Sequence, residues 1–487
     1  MRRPHRVTRD SAVTAGGSGF NFASAGCNAT QGKTMARKQL KLGAFLSVPG
    51  NHLAAWRHPD AVAETDMDFD WYMRLAQTAE RGKFDTIFFQ DTAAVGGSDK
   101  LAQGDLTRTK LCRIVKLEPT ATLAALAVGT THIGLIATAT TTYNEPYNIA
   151  RRFATIDHIS KGRAGWNLVT SQIEDEAGNF TADPHMAHAQ RYARAAEFYD
   201  VVAGLWDSWE DDAFTRDKAS GRYFDPDKMH FLHHRGEHFS VRGPLNVSRS
   251  PQGRPVVAQA GSSEPGRELA ARTADVVFTA QTEIEDARAF YADVKGRMAK
   301  YGRHPDEMKI MPGFSPIIGR TMEEAEAKFQ RLQDLLPDDV ALSSLDRFTR
   351  GMNIEQYPMD GPMPELPDTN AAKARRDLIM TMARRDNMTL REVARSVSAA
   401  QGHRMLVGTP GYMADQMQEW LETGAADGFN VICNYYPAPL EEFTDTVIPE
   451  LQRRGIFRTE YEGRTLRENL GLARPANAFA TRRSAAE

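Results

Sequence analysis

The sequence is short of the features that mark secreted or membrane-embedded chains. It has 3 cysteines in 487 residues, Cys27, Cys112 and Cys433. They are odd in number, far apart and without a Cys-x-x-Cys spacing, which argues against a disulfide framework or a cysteine-based zinc site. No run approaches the roughly 18 apolar residues of a membrane helix. The most apolar stretch, residues 123–139, is interrupted by Gly129, Thr130, Thr131 and His132. A soluble protein of the reducing cytoplasm is expected, with no membrane partner. An excess of charge of one sign is also missing: 60 Lys and Arg stand against 63 Asp and Glu, a net charge of −3. That balance speaks against a nucleic-acid partner. No Gly-x-Gly-x-x-Gly follows a strand pattern, and Gly32-Lys33-Thr34 lacks the spacing and the preceding strand of a phosphate loop.

What is present is ordinary globular composition, 41% hydrophobic and 25% charged. Residues 1–34 are rich in Arg, Ser and Gly without apolar periodicity. They read as a disordered extension reaching to about residue 36, with Met35 as an alternative start. From Leu40 onward, short apolar runs alternate with helical patterns. Strands are predicted at 40–46, 86–91, 131–140, 164–171, 255–261, 275–281, 308–318 and 428–435. Helices are predicted between them, among them 69–82 closed by Gly82, 119–129 opened by Pro119, a long one at 188–208, and 322–336 with Thr321 and Glu324 as a capping box. No internal repeat is found. The alternation predicts an α/β fold, a (β/α)8 TIM barrel occupying residues 37–462 as a single domain. Insertions are expected at 172–187, 209–252 and 337–407, and a C-terminal tail at 463–487.

In such a barrel the working face lies at the carboxyl ends of the strands. The residues there are 47–56, Asp91, 138–142, 167–171, 261–263 and Gln281. They offer hydroxyls, amides, one carboxylate and His52, but neither a carboxylate pair nor a nucleophile beside a base, so hydrolysis finds little support. Gly261-Ser262-Ser263, ahead of a helix with Pro265 in its first turn, suits an anion, although a plain helix cap explains the pattern equally well. Tyr192, with His188 one turn earlier, could add donors. The histidine-rich stretch 230–238 reads as a hairpin and not as a metal site, because alternation sends His233 and His234 to opposite faces.

Several stretches carry a more specific signal: NHLAAWRHP (51–59), FFQDT (88–92), EPYNIARRFATIDHISKGRAGWNLVTS (145–171), HAQRYARAAEFYDVVAGLWDSWEDDA (188–213), VRGPLNVSRSPQGRPVVAQAGSSEPGRELAA (241–271) and VGTPGYMADQMQEWLETGAADGFN (407–430). Together they resemble the bacterial-luciferase-like flavin monooxygenases. The closest resemblance is to the subgroup with the large components of nitrilotriacetate, EDTA, pristinamycin and dibenzothiophene-sulfone monooxygenases. The resemblance implies a barrel that binds reduced FMN and inserts one oxygen atom of O2 into a small organic substrate through a flavin peroxide. It implies Asp91 and Thr138 as contacts of the flavin edge, and His188, Tyr192, Ser262 and Ser263 as contacts of the ribityl chain and phosphate. Asn167, Thr170 and Ser171 would face the ring, and His52 and Trp56 would meet the oxygen intermediate or substrate. It further implies an NAD(P)H-dependent flavin reductase as partner, a homodimer or homotetramer, and no metal. A deazaflavin-dependent oxidoreductase and a non-catalytic flavin-binding protein are the alternatives. Two positions depart from the pattern: Asn51 stands where a histidine or glycine is expected, and Gln90 replaces an apolar residue before Asp91.

Overall fold

The computed structural model describes residues 38–96, 102–180, 185–349, 352–367 and 373–486. The expected extension over residues 1–36 lies outside them. Eleven strands are β1 (Lys41–Phe45), β2 (Thr86–Phe89), β3 (Gly134–Thr140), β4 (Ala164–Val169), β5 (His234–Arg235), β6 (Ser240–Val241), β7 (Val256–Gln259), β8 (Val276–Thr279), β9 (Lys309–Ile318), β10 (Arg404–Gly408) and β11 (Gly428–Val431). Eight of them close into a parallel ring, β1-β2-β3-β4-β7-β8-β9-β11 and back to β1. These are the eight runs picked out by hydropathy, and the fold is the expected TIM barrel with insertions. Helices between the strands pack on the outside, so strands buried on both faces read as continuous apolar runs.

β10 is a ninth parallel strand that the hydropathy pattern does not reveal. β9 is ten residues long. Its first residues pair with β8, its middle with β11, and Phe314–Ile318 continue beyond the ring, where Arg404–Gly408 add alongside. The third insertion therefore ends before residue 404. Arg404-Met405-Leu406-Val407-Gly408 is short, opens on a charge and runs straight into the helix Pro410–Glu422, so it blends into the helical stretches on either side.

The amino ends of the strands are fastened by aspartates. Asp85, Asp275 and Asp427 stand immediately before β2, β8 and β11. Each carboxylate accepts a backbone N–H from the preceding strand of the ring: Leu42 at 2.8 Å, Val257 at 2.8 Å and Ile310 at 2.9 Å. Basic groups complete them, Arg458 on Asp85 at 2.5 Å, Arg467 on Asp275 at 2.8 Å and Lys295 on Asp427 at 2.9 Å. Removing one partner from a buried pair of this kind costs about 3–5 kcal/mol. At β4 the device changes: Asp157, from the helix Pro146–Ile159, takes the Ala164 N–H at 3.0 Å. A short Asp-headed repeat thus exists where the sequence pattern shows none.

Within the segment expected as a tail, residues 466–472 form part of this floor. The helix Leu466–Leu470 brings Leu466 and Leu470, with Leu472, into one cluster with Phe45, Phe88, Ile136 and Val256 inside the barrel. Three leucines in a stretch with many charges are too sparse for the hydropathy pattern to register, yet Arg467 beside them is held by Asp275. No helix among the described residues is long and apolar enough to cross a membrane.

The insertions build the mouth. Helices Asp338–Ser343, Lys373–Arg385 and Leu390–Ala400 share a second core around Leu345, Phe348, Leu390 and Val397, and Ala54 from the loop after β1 packs into it. This insertion sits over the β1 side of the barrel. Thr389 starts its last helix with a full capping box to Glu392. Within 209–252, β5 and β6 form the expected hairpin, with His234 on Glu197 at 2.8 Å and His230 on Glu210 at 2.9 Å. The segment 172–187 contributes the short helix Glu174–Asn179.

Candidate functional site

A cavity of about 2420 Å³ opens at the carboxyl ends of the strands, under the helical insertion. Its aromatic floor comes from the last residues of three strands. The rings of Phe45, Phe88 and Phe278 lie 5.4–5.7 Å apart, and His403 stacks on Phe278 at 5.1 Å and 13°. Nine of the eleven residues singled out from the sequence line this cavity: Asp91, Thr138, Asn167, Thr170, Ser171, His188, Tyr192, Ser262 and Ser263.

On one wall, Asn167 donates from Nδ2 to Thr138 Oγ1 at 2.7 Å, and Thr138 Oγ1 donates to the Phe89 carbonyl at 2.8 Å. This chain fixes the amide so that Asn167 Oδ1 is buried with no partner. A buried acceptor left unpaired costs about 1–3 kcal/mol, which a ligand N–H would relieve. Asp91 lies just beyond β2, beside Lys116 at 3.4 Å. Burial raises the Asp91 pKa, and the ammonium of Lys116 opposes that rise.

Across the mouth, the loop after β7 runs into the helix Glu264–Thr273, capped by Ser263, whose Oγ accepts from Gly266 N at 3.3 Å. Ser262 Oγ lies 3.2 Å from Thr279 Oγ1, and Ser263 Oγ 3.5 Å from Tyr192 Oη. Glycine permits a close approach here. A Cβ on Gly261 would meet Tyr192 Oη and Gly266 Cα at 3.3 Å, and one on Gly266 would meet Tyr192 Oη and Ser263 Oγ at 3.1 Å. The result is a shallow cradle of hydroxyls and backbone N–H groups at a helix start, suited to a phosphate. His188 and Tyr192 lie on the helix His188–Trp206, their rings 4.9 Å apart. Burial, helped by Arg191, lowers the His188 pKa.

His52 and Trp56 do not line the cavity. His52 is wholly buried; its Nδ1 accepts from Ala54 N at 3.0 Å and its Nε2 faces Gln333 Oε1 at 3.4 Å. Burial holds its pKa down at about 4. It shapes the loop after β1 from within. Trp56 is 39% exposed, and its indole N–H donates to the Lys110 carbonyl at 3.1 Å, pinning one loop to another.

Three cavity groups escaped the sequence reading. Arg191, between His188 and Tyr192, is buried and bonded to His185, which in turn lies 2.5 Å from Tyr143 Oη. Glu176 accepts from Ser171 Oγ at 2.6 Å, and burial raises its pKa. Arg113 and Gln401 meet at the other side of the mouth. For Arg191 a signal existed, an arginine inside the quoted HAQRY stretch. For Glu176, five residues from Ser171, no periodic pattern marks the pair, and Arg113 and Gln401 lie too far apart in sequence for any local pattern.

Comparison with known proteins agrees with this geometry. The model of the luciferase-like monooxygenase family matches residues 48–427. The chain is 51% identical over 449 residues to N-acetyl-S-(2-succino)cysteine monooxygenase of Bacillus subtilis (strain 168), covering 92% of this chain and all of that one. It is likewise 51% identical over 451 residues to nitrilotriacetate monooxygenase component A of Aminobacter aminovorans, covering 91% of this chain and 99% of that one. Among solved structures, a riboflavin lyase with modified FMN and substrate riboflavin superposes with a TM-score of 0.80 at 34% identity, covering 90% of this chain and 97% of that one.

Proposed function

Because the chain belongs to the luciferase-like monooxygenase family, we propose that its cavity binds reduced FMN and that the protein is the oxygenating large component of a two-component system. The flavin supplies the difficult chemistry, delivering electrons to O2 so that one oxygen atom enters the substrate and the other leaves as water. The chain's own residues bind, orient and exclude water. Ser262, Ser263, Tyr192 and the free N–H groups of the Glu264–Thr273 helix would hold the phosphate, with Arg191 supplying positive charge from the neighbouring helix. Asn167 Oδ1, Thr138 and Asp91 would meet the polar edge of the ring, and the Phe45, Phe88 and Phe278 floor would support its apolar surface. The helical insertion keeps bulk water from the reacting centre.

The observation that carries this reading is the glycine cradle under Tyr192 opposite an unpaired Asn167 oxygen, in one cavity. No nicotinamide-binding pattern accompanies it. A separate NAD(P)H-dependent flavin reductase would therefore supply reduced FMN by diffusion, consistent with a relative named as a component A. The two relatives at 51% identity make N-acetyl-S-(2-succino)cysteine and nitrilotriacetate the first compounds to try as substrates. The test is an anaerobic titration with reduced FMN, followed by oxygen, reading the H2O2 released. Tight flavin binding, with H2O2 falling as product forms, is expected. H2O2 stoichiometric with flavin under every substrate would support a flavin-binding protein that oxygenates nothing, and preference for a deazaflavin would support the dehydrogenase alternative.

A further inference from the structure

Arg113 is a cation that lines the cavity. The guanidinium is half-buried, and it lies in the connection between β2 and the helix Pro119–Gly129 with a left-handed backbone, φ 65°. Three neutral oxygens from two parts of the chain hold it. NH1 donates to Ser47 Oγ at 3.4 Å and to Asn51 Oδ1 at 3.3 Å, and with the Gln401 amide turned to satisfy both groups, its oxygen accepts from NH1 and NH2 at 3.0 and 2.8 Å. Of the other arginines lining the cavity, Arg267 pairs with Asp293 and Arg191 is bonded to His185. No carboxylate among the described residues pairs with Arg113.

A second donor stands beside it. Asn51 is 4% exposed, its Oδ1 is occupied by Arg113, and its Nδ2 is buried with no partner. The two departures from the family pattern meet here. Asn51 braces Arg113 directly, while Gln90 donates from Nε2 to the same Ser47 Oγ at 3.4 Å. A buried amide N–H left open and a guanidinium braced by neutral groups make a donor set whose missing partner is an oxyanion.

The topology separates this anion site from the phosphate cradle. Ser47 and Asn51 follow β1, and the Ser262–Ser263 turn follows β7, the fourth strand from β1 in either direction round the ring. The two lie on opposite sides of the mouth, so one flavin phosphate cannot account for both. We propose that Arg113 and Asn51 form the recognition site for a carboxylate of the substrate, which makes the substrate of this oxygenase an anionic compound. Gln401, Ser47 and Gln90 are positioning residues that hold the fork open toward the cavity. This inference rests on the oxygenase reading above, whose own test is flavin binding.

The experiment measures binding by calorimetry to the FMN-loaded protein. The probes are N-acetyl-S-(2-succino)cysteine and nitrilotriacetate, each beside its neutral methyl ester, with wild type, Arg113→Met, Arg113→Lys and Asn51→Ala. At least one acid should bind wild type about 10-fold or more tighter than its ester. Arg113→Met should weaken the acid by about 30-fold or more and leave ester and FMN affinities unchanged, Asn51→Ala should weaken it less, and Arg113→Lys should recover part of it. Equal binding of acid and ester, equal loss of both in Arg113→Met, or no binding of either acid while FMN binds normally overturns the proposal. Loss of FMN binding by wild type would instead overturn the oxygenase reading.

Discussion

At His52 a single ring shows how a residue can be conspicuous in sequence and still act away from the chemistry. Its imidazole is sealed behind the loop after β1, and its pKa is depressed to about 4 from 6.5 by burial. The unfolded chain takes up the proton near 6.5 and the folded one resists until about 4, so the stability contributed by the neutral ring is whole above 6.5 and is lost as pH falls toward 4. Asp157 acts in the opposite sense. Burial raises its pKa to about 6 from 3.8, so the fold gains as pH falls through that window. A comparison of His52→Asn with wild type isolates the histidine. Its stability deficit in urea melts should shrink by about 2–3 kcal/mol between about pH 7.5 and about pH 4.5. A constant deficit would mean that the ring is not neutral and buried in solution. At the cradle, replacing Ser262 and Ser263 together by Ala should weaken FMN binding by about 1–3 kcal/mol, read by fluorescence quenching. An unchanged dissociation constant would remove the phosphate from this turn.

Among the elements, the turn between β7 and its helix is closely packed. Gly261→Ala would push a methyl against Tyr192 Oη and Gly266 Cα, both 3.3 Å away. Overpacking of this kind costs about 1–3 kcal/mol. The expected outcome is FMN affinity lower by about 10-fold with an intact circular dichroism spectrum, since the strain falls on the cradle and not on the barrel. All eight barrel strands were legible because strands covered on both faces leave unbroken apolar runs. The turn was legible because Gly-Ser-Ser before Pro265 is local chemistry. What escaped was non-local or overshadowed. β10 exists only because β9 outruns its neighbours, and the Leu466–Leu470 helix has meaning only against the floor it plugs. His52 and Trp56 were expected at the reacting centre because they follow β1, but the loop folds back and spends them on its own packing.

For the molecule as a whole, every barrel strand and every residue assigned to the cavity falls within Lys38–Glu487, one compact unit by its contacts. A chain begun at Met35 should therefore show the melting temperature and FMN affinity of the full chain, within about 2 °C and about 2-fold, by scanning calorimetry and titration. Loss of either would give the first residues a part in the fold. The cavity is two-sided at this scale. The cradle proposed for a phosphate lies after β7, and Arg113 lies on the β1 side. Sequence motifs disclosed the first side because its residues lie within a few positions of one another. The second side stayed hidden because Ser47, Asn51, Arg113 and Gln401 span most of the chain.

The aspartates at the foot of the barrel bear on how such a protein can diverge. Asp85, Asp275 and Asp427 tie neighbouring strands together through backbone N–H groups, at the end remote from the mouth. Their hold depends on no side chain in the loops above. A lineage can therefore lengthen or rewrite one mouth loop at a time while the floor continues to specify the ring. A new substrate preference can then arise by replacing the Asn51 and Arg113 side of the rim while the flavin side is inherited unaltered.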